Sequence, residues 1–316
     1  MGLHVSVLGS DPADAQRPMG LDEALSVIAS LAERGGPQRH EYGLFWRACE
    51  GFGQAKAGGH ISDDEHREFF ASLGPAGTPE SLMGHIFHKP YGYAGDFDII
   101  DKLYTRHVSA HPMVTRWDEF VQAVPSSESV RNRGPYLLRT VRELLDQRPN
   151  GRPLRVVSLG SGPGRDVERA LDGLGNLANR VHVTLVDMDE RAIAHSRHVL
   201  ARFNGTVGFA RADVLRLNLD DPVDLIWSSG LFDYFSDRAF ITTLKRLRRH
   251  VAPGGRIVIG NFSEQCGGPG PLSFGEWHLV VRSRENLSAL AAQAGAAGVR
   301  VDAEPTGLNL FVVAEG

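Results

Sequence analysis

From Leu154 to the C-terminus the chain alternates short apolar runs with amphipathic stretches, and no other feature narrows its fold so far. LRVVSLG, VHVTLVD, TVGFARAD, VDLIWSSG and RIVIGNF are short and bounded by Gly, Asp or Ser, the pattern of buried strands. A segment from about Arg165, then DERAIAHSRHVLARF and DRAFITTLKRLRRHV, carries helical periodicity between them. Strands that alternate with helices predict a mostly parallel sheet covered on both faces. After a further helix, RENLSALAAQAGAAG, come two last strands, VRVDAEP and LNLFVVAE. The short PTGL connection places them as an antiparallel hairpin, an unusual addition to a doubly wound sheet.

The expected fold class is therefore α/β: a Rossmann-like, doubly wound seven-stranded sheet with an antiparallel C-terminal hairpin, preceded by an N-terminal helical cap. The cap is expected over 1–125 and the sheet domain over 126–316. In LDEALSVIASLAERGG, Leu21, Ala24, Leu25, Ile28 and Leu31 form one helical face, and Gly35 and Gly36 stop it. ISDDEHREFFASLG opens with Ser62 as cap and Glu65 as its capping-box partner. MVTRWDEFVQAV reads as another helix, ended by Pro125. The segment SSESVRNRGPYLLRTVRELLDQ reads as a helix that Pro135 either kinks or restarts.

Composition removes several classes of function. A formal net charge of −4 argues against a nucleic-acid binder, because neutralising phosphates needs a basic face. The run KRLRRH reads as the solvated side of a helix. Cys49 and Cys266 stand far apart with no CxxC pairing, which points to a reducing compartment. No apolar run approaches a membrane span, and the N-terminus lacks the layout of a signal peptide. MGLHVS matches the loose myristoylation pattern, which chance often satisfies. The expectation is a cytoplasmic protein with neither nucleic acid nor membrane as partner; a homodimer is left open.

The chemistry gathers at the strand ends. The first strand runs into SLGSGPGRDVE, which sets Gly160, Gly162 and Gly164 before a helix start. Glycines there let a ligand approach the backbone, and a helix N-terminus favours negative charge. The turn alone does not choose between a dinucleotide and S-adenosyl-L-methionine; the other strand ends do. Asp187 ends the second strand, placed to grip ribose hydroxyls, with Met188 beside it. Asp213 and Val214 end the third, an acid for an adenine amino group and an apolar flank for its ring. Ser228, Ser229 and Gly230 end the fourth, followed by LFDYF, where ligands of such sheets bind.

With these four motifs the stretch from about Ser126 to Glu315 resembles the class I S-adenosylmethionine-dependent methyltransferases. One departure stands out: where many members carry an acid two residues before the first glycine, this chain has Ser158. HKPYGYAGDFDIIDKLY, VRNRGPYLL, SGLFDYF, GNFS and EWHLVVRS further resemble a helical-capped subgroup. It includes bacterial enzymes making 3-hydroxy fatty acid methyl esters. Also similar are enzymes that cyclise S-adenosylmethionine to azetidine-2-carboxylate and methylthioadenosine. The likeness implies S-adenosyl-L-methionine as cofactor and the N-terminal domain as its lid.

Two activities follow as alternatives, with a non-catalytic cofactor sensor or scaffold below both. The first is O-methylation of a small or lipidic carboxylic acid, a small-molecule acceptor that enters ionised and needs no general base. The second is cyclisation with no partner beyond the cofactor, its chain held by Tyr93, Asp96, Tyr136 and Ser161. Tyr93 and Asp96 come from HKPYGYAGDFDII and are expected to reach the sulfonium and ammonium from the lid, while Tyr91, Phe97 and Ile100 pack it. Arg131 and Arg133 are candidates to clamp a carboxylate, of the cofactor or of an acid substrate. Asn261, Glu276 and Trp277 are expected to wall the pocket. No metal site is expected, His85 and His88 beside Asp96 and Asp98 being the least implausible group.

Overall fold

The computed structural model describes residues 19–147, 151–266 and 269–316; the MGLHVS pattern lies outside them. The helices before the sheet are α1 (Leu21–Glu33), α2 (Tyr42–Ala57), α3 (Asp63–Ser72), α4 (Leu82–His88), α5 (Phe97–Thr105), α6 (Thr115–Ala123) and α7 (Pro125–Asp146). Then follow β1 (Leu154–Leu159), α8 (Arg165–Leu174), β2 (Val181–Asp187), α9 (Glu190–Val199), β3 (Val207–Arg211), β4 (Val223–Ser228) and α10 (Asp237–Leu247). The chain closes with β5 (Val251–Phe262), α11 (Pro269–Phe274), α12 (Arg284–Gln293), β6 (Ala297–Ala303) and β7 (Asn309–Glu315).

Two compact units result, one from the described residues of 1–128 and 267–278, the other from 129–266 and 279–316. The division falls inside α7, and 267–278 joins the first unit, which a single cut at 125/126 does not anticipate. The reason is aromatic. Phe274 packs edge-on against Phe45 and Phe52, at 6.0 and 5.3 Å between centroids, and tilted at 5.1 Å from Phe70. Phe45 also meets Trp117 and Phe120 edge-on, the offset geometry aromatic rings prefer. A polar clip completes the attachment. Glu276 pairs with Lys56 at 3.0 Å and with His66 Nδ1 at 3.1 Å, while His66 Nε2 lies 3.1 Å from the Phe274 carbonyl. Burial alone would raise the Glu276 carboxyl, but Lys56 and His278 hold it down at about 2. Glu276, expected at a pocket wall, is thus tied into the first unit. The capping box on α3 forms as its sequence pattern predicts, Ser62 Oγ accepting from the Glu65 N–H and Glu65 from the Ser62 N–H.

In the second unit one seven-stranded sheet has the order β3-β2-β1-β4-β5-β7-β6. β1 to β5 run parallel, and β7 is antiparallel to both β5 and β6. Alternation along β1 explains the two covered faces: Leu154 and Val156 pack with α7 and α8, Val157 and Leu159 with α10 and α12. Pro135 does not restart α7, which runs as one helix through it. Proline removes an N–H that would bond the carbonyl four residues back. That carbonyl, on Arg131, is instead approached by Arg169 Nη1 of α8 at 3.5 Å.

Candidate active site

The turn after β1 is held open by left-handed glycines and pinned from β2. Gly160, Gly162 and Gly164 have φ of 58°, 52° and 74°, a region costly for side chains with a Cβ. Two are also sterically required: a Cβ would lie 2.9 Å from Leu231 Cβ at Gly160 and 2.8 Å from Leu185 Cδ2 at Gly164. At Gly162 a Cβ would meet nothing within 4 Å, so there the backbone faces open space. The Gly162 N–H donates to Asp187 Oδ2 at 2.9 Å, and the Asp189 N–H to Oδ1 at 3.0 Å. Desolvation raises the Asp187 pKa, against those two N–H groups. Each oxygen keeps lone-pair capacity for a further donor such as a hydroxyl. Ser161 is buried, and among the described residues its Oγ has no hydrogen-bond partner.

The other strand ends are more mixed. Met188, beyond β2, is 70% exposed, as an apolar shelf for a ligand would be. Asp213 accepts from the Leu215 N–H at 2.8 Å and so caps a short turn, whose Val214 is in the core. Ser158 is buried in the middle of the sheet between Leu185 and Trp227. A buried acid near the glycine turn was overlooked by sequence reasoning. Asp166, in the first turn of α8, accepts from Trp227 Nε1 at 2.6 Å and Ser229 Oγ at 3.0 Å, tying the end of β4 to the turn after β1. Its signal was the acid two residues after Gly164 in GPGRD.

Several expected site residues have other work. Tyr136 is buried, stacked 3.9 Å from Phe311, and its hydroxyl donates to Asp302 at 2.7 Å. Burial and Asp302 raise its pKa well above the ordinary phenol, and its hydroxyl, expected to hold the cofactor chain, is engaged by Asp302. Asp96 is 1% exposed; it caps α5 by accepting from the Asp98 and Ile99 N–H groups and lies 2.9 Å from His85 Nε2. Both carboxylate oxygens are therefore engaged inside the first unit. Tyr93 is 37% exposed, and Tyr91 packs on Phe97 at 4.6 Å as expected. His88 turns to the Gly77 carbonyl at 2.7 Å, so the two histidines do not converge. Asn261 spends its amide on the Phe262 and Val280 carbonyls and on Arg282, at 3.0, 3.0 and 2.6 Å. Arg131 is buried on α7.

A corner between α7 and the ends of β4, β5 and β7 holds buried charges. Arg133, 6% exposed, lies over the Phe262 ring at 5.3 Å and 4.0 Å from Asp233. Asp233 accepts the Phe262 N–H at 2.6 Å. Burial pushes its carboxyl up to about 7, against Arg133, that N–H and Arg282. Nearby Glu304 accepts from Ser129, Asn132, Thr306, Leu308 and Asn309.

These features have counterparts in known proteins. Residues 156–255 match the family model described as a methyltransferase domain. Trans-aconitate 2-methyltransferase from Methylobacterium nodulans is 32% identical over 121 residues, 38% of this chain and 43% of that protein. Malonyl-[acyl-carrier protein] O-methyltransferase from Bacillus anthracis is 28% identical over 35% of this chain and 39% of its own. The chain thus spans less than half the length of these curated relatives. Among solved structures, a possible exported protein from Bordetella parapertussis superposes with TM-score 0.57 at 17% identity, covering 96% of this chain and 98% of its own. The CMeT domain of the citrinin polyketide synthase gives 0.51 at 15%, over 93% and 65%. The open backbone at Gly162, the lone pairs left on Asp187 and the unpartnered Ser161 hydroxyl fit an adenosyl cofactor. Sheet order, pinned glycine turn and matched domain together give the second unit a Rossmann-like fold, with residues 156–255 similar to a methyltransferase domain.

Proposed function

We propose that the chain is a methyltransferase that uses S-adenosyl-L-methionine to O-methylate a small or lipidic carboxylic acid. The observation that carries this reading is the glycine turn locked onto Asp187 by the Gly162 N–H at 2.9 Å. It presents bare backbone and an acid side by side, as the adenosyl half of the cofactor requires. In this reading Asp187 takes the ribose hydroxyls, Met188, Asp213 and Val214 border the adenine, and Gly160, Ser161, Ser158 and Ser229 line the way to the methionine end. When bound, the cofactor supplies an electrophilic sulfonium methyl group.

The chain's own task is to align the acceptor and exclude water. A carboxylate is already ionised, so no side chain has to remove a proton from it. Support for this acceptor class comes from the relatives, whose names specify trans-aconitate and malonyl-[acyl-carrier protein]. Cyclisation draws no support from them, and two side chains it relied on, Tyr136 and Asp96, are committed to Asp302 and His85. The test is incubation with methyl-labelled S-adenosylmethionine and a panel of trans-aconitate, malonyl thioesters and 3-hydroxy fatty acids. Base-labile label in an organic extract, with equimolar S-adenosylhomocysteine, is the expected result. No transfer to any acid, or methylthioadenosine released without acceptor, overturns it.

A further inference from the structure

The buried charges at the ends of β4, β5 and β7 are not equally satisfied. Arg282, 2% exposed, has its guanidinium bonded to Asp237, Asn261 and the carbonyls of Phe232 and Phe235. Arg133 is buried almost as deeply, yet among the described residues its Nε has no hydrogen-bond partner. Its ion pair with Asp233, at 4.0 Å, is longer than a hydrogen bond. Burying a cation without its hydrogen bonds is costly.

A second group shares the defect. Asn309 is 0% exposed, and among the described residues neither its Oδ1 nor its Nδ2 has a partner. Asn309 is directly opposite Phe262 in the β5–β7 register. Residues paired in this way point to one face of a sheet, and Arg133 lies over the Phe262 ring on that face. Phe311, two residues further along β7, stacks on Tyr136, one helical turn after Arg133 on α7. The guanidinium with its unbonded Nε and the Asn309 amide, unpartnered among the described residues, therefore belong to one corner. Its position is where ligands of such sheets bind. Gly230, just past β4, backs onto it, since a Cβ there would lie 2.8 Å from Arg133 Nη1. Its neighbour Leu231 closes on Gly160 of the cofactor turn, where a Cβ would come within 2.9 Å of Leu231 Cβ.

The geometry points to a carboxylate-binding subsite built from Arg133 and Asn309, with Gly230 leaving room for the guanidinium. A carboxylate accepts from both an arginine fork and an amide N–H, so one ligand group satisfies both. Two sources supply that group in the proposed reaction: the methionine carboxylate of the cofactor, or the acid acceptor. The second source rests on the function proposed above; the first does not.

Calorimetric titration separates them. The probes are S-adenosylhomocysteine, its decarboxylated analogue S-adenosyl-3-thiopropylamine, and trans-aconitate in the presence of S-adenosylhomocysteine. For a cofactor carboxylate, Arg133→Gln weakens S-adenosylhomocysteine at least about tenfold and leaves the decarboxylated analogue unchanged, and Arg133→Lys recovers part of the loss. For an acceptor carboxylate, both nucleosides bind Arg133→Gln as they bind the native chain, and trans-aconitate binding falls by a similar factor. If Arg133→Gln does not fold, Gly230→Ala, which keeps every charge and crowds the guanidinium, takes its place in the same titrations. Unchanged affinity for S-adenosylhomocysteine and for the acid overturns the subsite. Should no acid bind or react with the native chain, the functional reading fails by itself. The nucleoside pair then decides the subsite alone, and an unchanged ratio overturns it.

Discussion

Glu304 and Asp233 are two buried acids in the same sheet unit, and their surroundings could hardly differ more. Glu304, 2% exposed, is met by the hydroxyls of Ser129 and Thr306, the Asn132 amide and the N–H groups of Thr306, Leu308 and Asn309. Burial alone would raise its carboxyl, but these donors hold it below the ordinary range. It fastens α7 to the turn between β6 and β7, and nothing is left over for a ligand. Asp233, 1% exposed, accepts one N–H from Phe262 and stands 4.0 Å from the Arg133 guanidinium, whose Nε has no hydrogen-bond partner among the described residues. A saturated corner is architecture. An unsaturated one, beside the end of β4, is where a fold of this kind places its chemistry.

Acidity separates the two corners most widely. An unfolded aspartate titrates near 3.9, whereas Asp233 is pushed up to about 7. Between these values the folded chain holds a proton the unfolded chain has lost, so this contribution to stability is full in acid and vanishes as pH rises through 7. Three pKa units correspond to at most ~4 kcal/mol. Melts of Asp233→Asn against the native chain from pH 4.5 to 8.5 measure it. The native midpoint is expected to fall relative to the variant across that range; parallel curves would erase the contrast with Glu304. The Arg133, Arg282 and Phe262 N–H groups facing Asp233 all oppose the shift, so its cause is burial.

Glu304→Gln comes next in size. Replacing a multiply bonded buried carboxylate with an amide turns donors against donors, at a cost of about 3 kcal/mol. Urea unfolding should show it, while the affinity of the folded protein for S-adenosylhomocysteine stays within a factor of two. Loss of binding without loss of stability would exchange the roles of the two corners. Asp96→Ala belongs in the same experiment on the other unit. Removing an N-cap that also pairs with His85 is expected to cost about 2 kcal/mol, with nucleoside affinity unchanged. A selective loss of binding would restore the ligand contact that the sequence suggested.

Asn309→Ala is the smallest effect. Truncating a buried amide with no partner among the described residues removes little favourable interaction, so stability should change by no more than ~1 kcal/mol. The bound state is what should respond, through weaker carboxylate affinity by calorimetry. A large destabilisation would show the amide to be structural after all.

Sequence periodicity alone specified the seven-stranded sheet, its parallel core, the terminal hairpin and the helical first unit, because each depends on local pattern and on the exclusion of water from apolar faces. The glycine turn and Asp187 were legible for the same reason: left-handed backbone and strand ends leave marks at fixed spacing. Pairings between distant segments left no such mark. Only the tertiary structure sends Phe274 and Glu276 back to the aromatic core of the first unit, since nothing near them in the chain names His66 or Lys56. Only there does Asp96 become a cap and a histidine partner, and Tyr136 a stacked core residue. Arg131 and Arg133 read alike in VRNRGPY; packing decided that Arg133 Nε is left without a partner among the described residues, beside the end of β4. A residue's type announces which bonds it can make, and the fold alone determines which of them remain unmade.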